Sequence, residues 1–331
     1  MDDLICTLAL KKIKGLQNRH IFSLINAFGN PCEIFNAKKP DFIRAGLKIE
    51  YVKILINPRI VRTAFFDAIK EIEEASKNGI KIITYNSSLY PSNLKFIKNK
   101  PLVLYYKGKL KENLKFAVAI AGQRMPPDYA IKLTQELTGQ LCLSGFSIIS
   151  GLAAGIDAAA HKSALKKNGY TIAYLGSGLL EPVYPPENAD IYEEILENNG
   201  AIVSELPLHE KIGSKNLVAR DRLQSGTGLC TFAMSSPLKS GTMKTCNFSL
   251  RQKRPVFVPE YNKELMDSKD NLGLKSLFGN IGVAGLKLNN DFSFDLSGVI
   301  DELRIVYDEI YGEKSEEEAL LSVQPLLFDL N

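Results

Sequence analysis

The stretch FSIISGLAAGIDAAAHKSALKKNGYTIAYL, residues 146–175, decides the fold. Residues 146–149 form a short apolar run, 150–157 turn the chain with small residues, 158–167 repeat apolar side chains at helical spacing, and 171–175 form a second apolar run. Strand, tight turn, helix and strand make a βαβ unit, whose strands are parallel and whose crossover is right-handed. The same alternation extends outward, with strands expected at 82–84, 102–106, 116–121, 201–203, 229–232 and 256–258 and helices at 129–142 and 189–197. The expected class is α/β, a Rossmann-like, mainly parallel sheet with helices on both faces.

Upstream the period is helical. Leu8, Ile13 and Leu16, then Ile21, Phe22, Leu24, Ile25 and Phe28, precede the stop Gly29-Asn30-Pro31. Residues 1–78 are therefore expected to be a small all-α domain, in which the turn Ile13-Lys14-Gly15-Leu16 looks like a helix-hairpin-helix. Residues 79–310 hold the sheet, and 311–331 an acidic linker and tail.

At 331 residues, 45% hydrophobic and 24% charged, the chain has material for two globular domains, and a collagenous or disordered protein is excluded. The longest uncharged stretch, 137–156, is broken by polar residues and glycines, and Met1-Asp2-Asp3 is the wrong flank for a secretory signal, so a cytoplasmic protein with no membrane association is expected. The cysteines at 6, 32, 142, 230 and 246 show no CxxC spacing, so neither a metal site nor a disulfide framework is expected, only buried free thiols. Charge is uneven: residues 1–110 carry 19 Lys and Arg against 9 Asp and Glu, whereas 311–331 carry 1 against 5. A basic third steers polyanions, although lysines that merely solvate helix faces produce the same count.

The strand ends are followed by glycine-rich loops: Gly122-Gln123-Arg124, Ser150 to Asp157 with Gly151, Gly176-Ser177-Gly178, and Lys239-Ser240-Gly241-Thr242. In a parallel sheet these loops converge on one edge and aim helix N-termini at a common crevice, an arrangement suited to anions. A Cβ would hold the backbone away from phosphate oxygens, and Ser or Thr adds a hydroxyl donor; glycine also simply permits tight turns. A further basic cluster, Lys211, Lys215, Arg220 and Arg222, offers a clamp for a sugar-phosphate backbone, unless Asp221, between the arginines, pairs with one of them. GxxxxGK[ST], HExxH and GxSxG are all missing, and Gly176 to Glu181 lacks the third glycine of a dinucleotide fingerprint, so no catalytic residue and no cofactor is expected. His161, close after Asp157 in a helix, fits packing and capping as well as proton transfer.

From Leu8 to Leu303 the chain resembles the DNA-processing protein DprA (Smf) family. The resemblance rests on Tyr90-Pro91-Ser92-Asn93-Leu94 before Lys107-Gly108, Gly122-Gln123-Arg124, Ser150 to Asp157 with Ala160-His161, and Gly176-Ser177-Gly178. Tyr184-Pro185-Pro186-Glu187-Asn188, Ser204-Glu205, Arg220-Asp221-Arg222 and Lys239-Ser240-Gly241-Thr242 follow in the family's order. The resemblance implies a non-catalytic protein that binds single-stranded DNA, forms a homodimer and helps load the RecA recombinase during natural transformation. It implies a pocket built from Gly122, Arg124, Ser150, Gly151, Lys211, Arg220, Arg222, Lys239, Ser240 and Gly241, and a sterile-alpha-motif-like N-terminal module. A C-terminal winged-helix domain, which many members carry, is not expected after position 310.

Departures from the family pattern fall in the implied pocket. Asp221 replaces an asparagine, Met125-Pro126-Pro127 a threonine-rich run, Ala154 a basic residue, and Pro259-Glu260 a Pro-Gly. Each removes a donor, a positive charge or backbone freedom. Two other roles stay open: a regulatory or antitoxin component of an anti-phage locus, and a LOG-like nucleotide phosphoribohydrolase, although that group's P-G-G-x-G-T loop is replaced by Leu238-Lys239-Ser240-Gly241-Thr242 and no obvious carboxylate stands beside it for its catalytic glutamate. In the tail, Gln324-Pro325-Leu326-Leu327-Phe328 looks like the peptide that docks on the bacterial sliding clamp, with Leu327 and Phe328 filling an apolar pocket and Gln324 orienting it; packing of the same residues onto the protein is the alternative.

Overall fold

A computed structural model describes residues 2–312 and divides them into two compact units. The first comprises residues up to 87 together with 99–106. Its helices are α1 (Asp3–Lys12), α2 (Asn18–Phe28), α3 (Pro31–Asn36), α4 (Lys39–Arg44), α5 (Ile49–Leu55) and α6 (Pro58–Lys77). Capping chemistry sets several of these boundaries. Gly29 takes a positive φ to end α2, and Asn30 at once caps α3, its side chain accepting from the Cys32 and Glu33 amides with Pro31 in the first turn. Asn57 and Pro58 start α6 in the same way. A salt bridge of 2.7 Å from Lys12 to Glu71 links α1 to α6. The expected boundary at 78/79 falls in the turn after α6; by compactness this unit also takes in β1 (Lys81–Thr84) and most of β2 (Val103–Gly108), which pair antiparallel with Lys81 opposite Tyr106.

The cysteine expectation needs correction. Cys6 and Cys32 form a disulfide, with their Cα atoms 5.3 Å apart, that ties α1 to α3. Their 26-residue separation carries no local signature, so only the packing of the two helices reveals the pair. Cys142, Cys230 and Cys246 are free, and burial pushes the Cys142 thiol up to about 11 and the Cys246 thiol up to about 12.

The second unit contains residues 88–98 and everything described from Lys107 on. Its chain runs β3 (Ala117–Ala121), α7 (Asp128–Leu143), β4 (Ser147–Ser150), α8 (Ile156–Lys166), β5 (Thr171–Tyr174), α9 (Ala189–Glu197) and β6 (Ala201–Ser204). It continues through α10 (Ser214–Thr227), β7 (Thr231–Ala233), α11 (Gly241–Arg251), β8 (Val256–Pro259), α12 (Lys263–Met266), α13 (Leu272–Leu277), β9 (Val283–Leu286) and α14 (Ser297–Tyr311). The strand order β6-β5-β4-β3-β7-β8-β9 is parallel at every pairing. The chain moves outward from β3 to β6, then returns to lay β7 on the other flank of β3. That reversal is the topological switch point, where an open α/β sheet leaves a crevice at the carboxyl ends of its strands.

The core lies against β3, β4, β7 and β8, where Val118, Ile120, Ile148, Phe232 and Val256 are buried with Leu133, Leu137 and Leu141 of α7. Phe232 stacks on Phe257 at 5.2 Å. Fully buried runs of four or five residues are what a strand covered on both faces requires. Among the described residues no helix is long and apolar enough to cross a membrane.

Leu137 has no exposed surface. Leu137→Ala is expected to lower the unfolding free energy by about 2–5 kcal/mol, measured as a shift of the urea midpoint at constant slope.

Candidate functional site

The crevice at the switch point is real, with a volume of about 520 Å³. Gly122, Gln123 and Arg124 after β3 line one wall, and Pro237, Ser240, Gly241, Thr242, Lys244 and Thr245 after β7 and in α11 line another. Ser214, Leu217, Arg220, Asp221 and Gln224 of α10 form the floor, with Asp157 and Tyr184 beside them.

The floor is an unusual helix. From Arg220 to Thr227 every residue of α10 but Arg222 is buried, and most are polar. These side chains satisfy carbonyls at the ends of three strands. Arg220 donates through Nη1 to the Gly151 and Tyr174 carbonyls at 2.6 and 2.8 Å, and Gln224 donates to the Ile120 carbonyl at 2.8 Å. Ser150 donates to that same carbonyl at 2.7 Å. A helix this polar is stable here because buried carbonyls left without donors would each cost about 1–3 kcal/mol.

Arg222 points elsewhere and makes a two-pronged pair with Glu205, its Nη1 2.6 Å from Oε1 and its Nη2 2.5 Å from Oε2. The open guanidinium clamp read from the sequence therefore takes another form. Arg220 holds the strand ends with its charge turned inward, while Arg222 is bound to the Ser204-Glu205 loop. Lys211 and Lys215 are exposed around the start of α10, and Lys239 is exposed beside Ser240. Arg124 remains a solvent-exposed cation on the rim, 5.9 Å from the centre of the Tyr184 ring.

The glycines separate in the same way. A Cβ on Gly122 would meet Ile156 at 2.3 Å, on Gly176 Leu217 at 2.9 Å, on Gly178 the Pro207 carbonyl at 2.1 Å, and on Gly151 the Arg220 Nη1 at 1.7 Å. These four are small because the protein itself fills the space. Gly241, the first residue of α11, faces open space: a Cβ added there would find nothing within 4 Å. At that helix start Ser240 accepts from the Met243 amide, and Lys244 adds a cation one turn on. The α11 N-terminus is thus an anion-suited end beside open space, as is the start of α10 at Gly213 and Ser214, whereas α8 has its own anion: Asp157 accepts from the Gly151 and Ala153 amides at 3.1 and 3.4 Å.

Asp157 and Asp221 flank Arg220, with Asp221 Oδ1 3.2 Å from Arg220 Nε. Burial raises both carboxyls, Asp221 to about 6, against the lowering pull of Arg220 and, for Asp221, Lys244. His161 is fully buried, its Nδ1 2.7 Å from Thr171 Oγ1, and burial holds it down at about 3, so it is neutral near pH 7. Among the described residues no cluster of three or more His, Cys, Asp or Glu is arranged to hold a metal ion. Other motif residues are internal fasteners: Asn188 donates to the Leu152 carbonyl at 2.9 Å, Ser204 to the Ser177 carbonyl at 2.7 Å, and Asn93 to the Lys115 and Thr227 carbonyls at 2.9 Å each. Sequence reading passes over Gln123, Tyr184, Ser214, Gln224 and Lys244 as lining residues. Gln123 and Tyr184 stand inside motifs the sequence offers, and Lys244 is signalled as a cation in the first turn after Ser240.

An open, parallel sheet covered by helices, with a crevice at its switch point, defines a doubly wound α/β protein. Residues 81–286 match the sequence description of DNA recombination-mediator protein A, and the chain belongs to that family. It is 37% identical over 207 residues to the Smf protein of Synechocystis, covering 61% of this chain and 52% of that relative, so it spans about half of that protein's length. The crystal structure of DNA processing protein A from Streptococcus pneumoniae shares the fold, with a TM-score of 0.65 at 24% identity over 83% of this chain and 98% of that one. DNA processing protein A from Helicobacter pylori, described for its mode of binding single-stranded DNA, matches with a TM-score of 0.56 at 27% identity over 68% of this chain and 96% of that one.

Because the Asp221 carboxyl rises from 3.8 to about 6 on folding, its favourable contribution is present below pH 3.8 and lost as pH climbs through about 6. Asp221→Asn is accordingly expected to raise Tm at pH 7.5, with the gain vanishing by pH 4 in thermal melts. Gly151→Ala should displace the Arg220 guanidinium and cost about 1–3 kcal/mol, read from the denaturant midpoint.

Proposed function

We propose that this protein binds single-stranded DNA in the switch-point crevice without catalysing a reaction on it, and that it does so in the cytoplasm as a homodimer that assists RecA loading in transformation. The observation that carries the reading is the α11 N-terminus, where Ser240, Gly241 and Thr242 line with Arg124 a crevice of about 520 Å³ and Gly241 borders open space. Phosphate groups suit this combination of helix dipole, backbone amides, hydroxyls and exposed cations. Family membership supports the same ligand. Backbone contacts carry no base information, so sequence preference is expected to be weak.

The sliding-clamp peptide around Gln324, Leu327 and Phe328 lies outside the described residues, as does the acidic run before it. It is proposed as a second attachment point on sequence grounds, and deletion of residues 320–331 should abolish clamp binding in a pull-down.

Log affinity for a single-stranded oligonucleotide is expected to fall with log salt at roughly −0.7 per contacted phosphate, and Arg124→Ala should make that slope shallower by about one contact. Arg222→Ala should leave the slope unchanged. A salt-independent interaction, or release of free base from nucleoside monophosphates, would replace this reading with another.

A further inference from the structure

Four exposed apolar side chains stand at the mouth of the crevice. Met125, Tyr184, Ile212 and Leu238 are 87%, 43%, 37% and 55% exposed, and each comes from a different loop at the carboxyl edge of the sheet. Tyr184 lines the crevice itself, and the other three lie within two residues of Arg124, Ser214 and Pro237, which line it too. Single exposed apolar residues are ordinary on a surface, whereas several on the loops of one edge mark a binding patch. A cation is the chain neighbour of three of them: Arg124 of Met125, Lys211 of Ile212 and Lys239 of Leu238, all exposed. Among the described residues none of these three cations belongs to a salt bridge. Arg124 also sits 5.9 Å from the centre of the Tyr184 ring. Prolines restrain two of the apolar residues, Met125 before Pro126 and Leu238 after Pro237, so less freedom is lost when they are covered.

A free cation beside an uncovered apolar group, repeated on one loop after another, fits a ligand that alternates the same two features. An unpaired nucleic-acid strand does so, because each nucleotide brings one phosphate and one flat base with open faces. In a duplex those faces are stacked inside, and the phosphates alone are left for the cations. We propose that Met125, Ile212, Leu238 and the Tyr184 ring take the bases of a single strand whose phosphates reach Arg124, Lys211 and Lys239, so that this apolar collar, rather than the charge, distinguishes unpaired from paired DNA. The proposal rests on the reading of the crevice as a DNA site and assigns its strand selectivity to named side chains. Contact with a base face is tolerant of which base it is, so sequence preference stays weak.

The test uses the full chain at pH 7.5 and fluorescence anisotropy with three probes: a mixed-sequence strand of twelve nucleotides, an abasic strand of the same length, and the first strand annealed to its complement. The abasic strand keeps the phosphates and loses the bases. The intact strand is expected to bind about tenfold more tightly than the abasic one, since covering one such side chain with a base is worth a factor of that order. Replacing the three aliphatic residues together, Met125→Ser, Ile212→Ser and Leu238→Ser, should bring that ratio toward one by weakening the intact strand alone, with the salt slope and duplex binding unchanged. The conservative pair Met125→Leu and Leu238→Met should keep the ratio. Each variant is checked for an intact thermal transition, and Met125→Ser alone reads the same ratio should the triple variant lose its own. Equal binding of intact and abasic strands by the native chain, or a ratio that survives the serine replacements, overturns the proposal and leaves the phosphate reading standing. Serine replacements that weaken all three probes alike overturn it too. An unchanged ratio together with loss of self-association in sedimentation gives the collar to a second copy of the chain instead. Failure of every probe to bind removes the underlying reading as well.

Discussion

A single buried guanidinium organises the carboxyl edge of this sheet. Arg220 ties the end of β4 to the end of β5 through two carbonyls, and its charge is matched by Asp157 on one side and Asp221 on the other. Removing a charge of this kind from water costs several kcal/mol unless neighbours replace its hydration. The glycine at 151, the carboxylate at the start of α8 and the polar face of α10 all follow from that demand. Gly151 leaves the room the guanidinium occupies, Asp157 returns the negative charge, and Gln224 continues the row of donors to β3.

The consequence is a division of labour among the crevice residues. Two of the three arginines in the motifs support the crevice, and one presents charge to it. The Ser204-Glu205 and Arg220-Asp221-Arg222 segments belong together structurally: Ser204 fastens the Ser177 loop while Glu205 locks Arg222. The open electrostatics are left to Arg124, Lys244 and the α11 dipole, against two carboxylates whose protons are held more tightly than usual. The crevice is thus lined by groups of both signs rather than being uniformly positive.

Much of the fold is legible because its signals are local. Buried parallel strands show as short apolar runs, and the expected β3 to β8 segments lie at or within a few residues of the observed ones. Strand β9 gives no such signal: Val283-Ala284-Gly285-Leu286 contains a glycine, is only partly buried at its first three residues, and pairs with β8 alone among the described strands. At the site, the loops can be located from glycine and serine, but not which glycine faces ligand, because the atoms that crowd Gly122, Gly151, Gly176 and Gly178 come from distant parts of the chain. The arginine partners are hidden for the same reason. Arg222 finds Glu205 17 positions away and Arg220 finds Gly151 69 positions away. The disulfide is equally invisible, since two helices must pack before its cysteines meet.

That cross-link makes the helical unit sensitive to its chemical surroundings. Closing a loop of 26 residues removes chain entropy from the unfolded state, worth roughly 3–4 kcal/mol in the loop-closure treatment. Glutathione or thioredoxin would withdraw this contribution without touching the sheet, so the same polypeptide purified under air and under reductant should differ in the durability of its first six helices while its crevice stays the same.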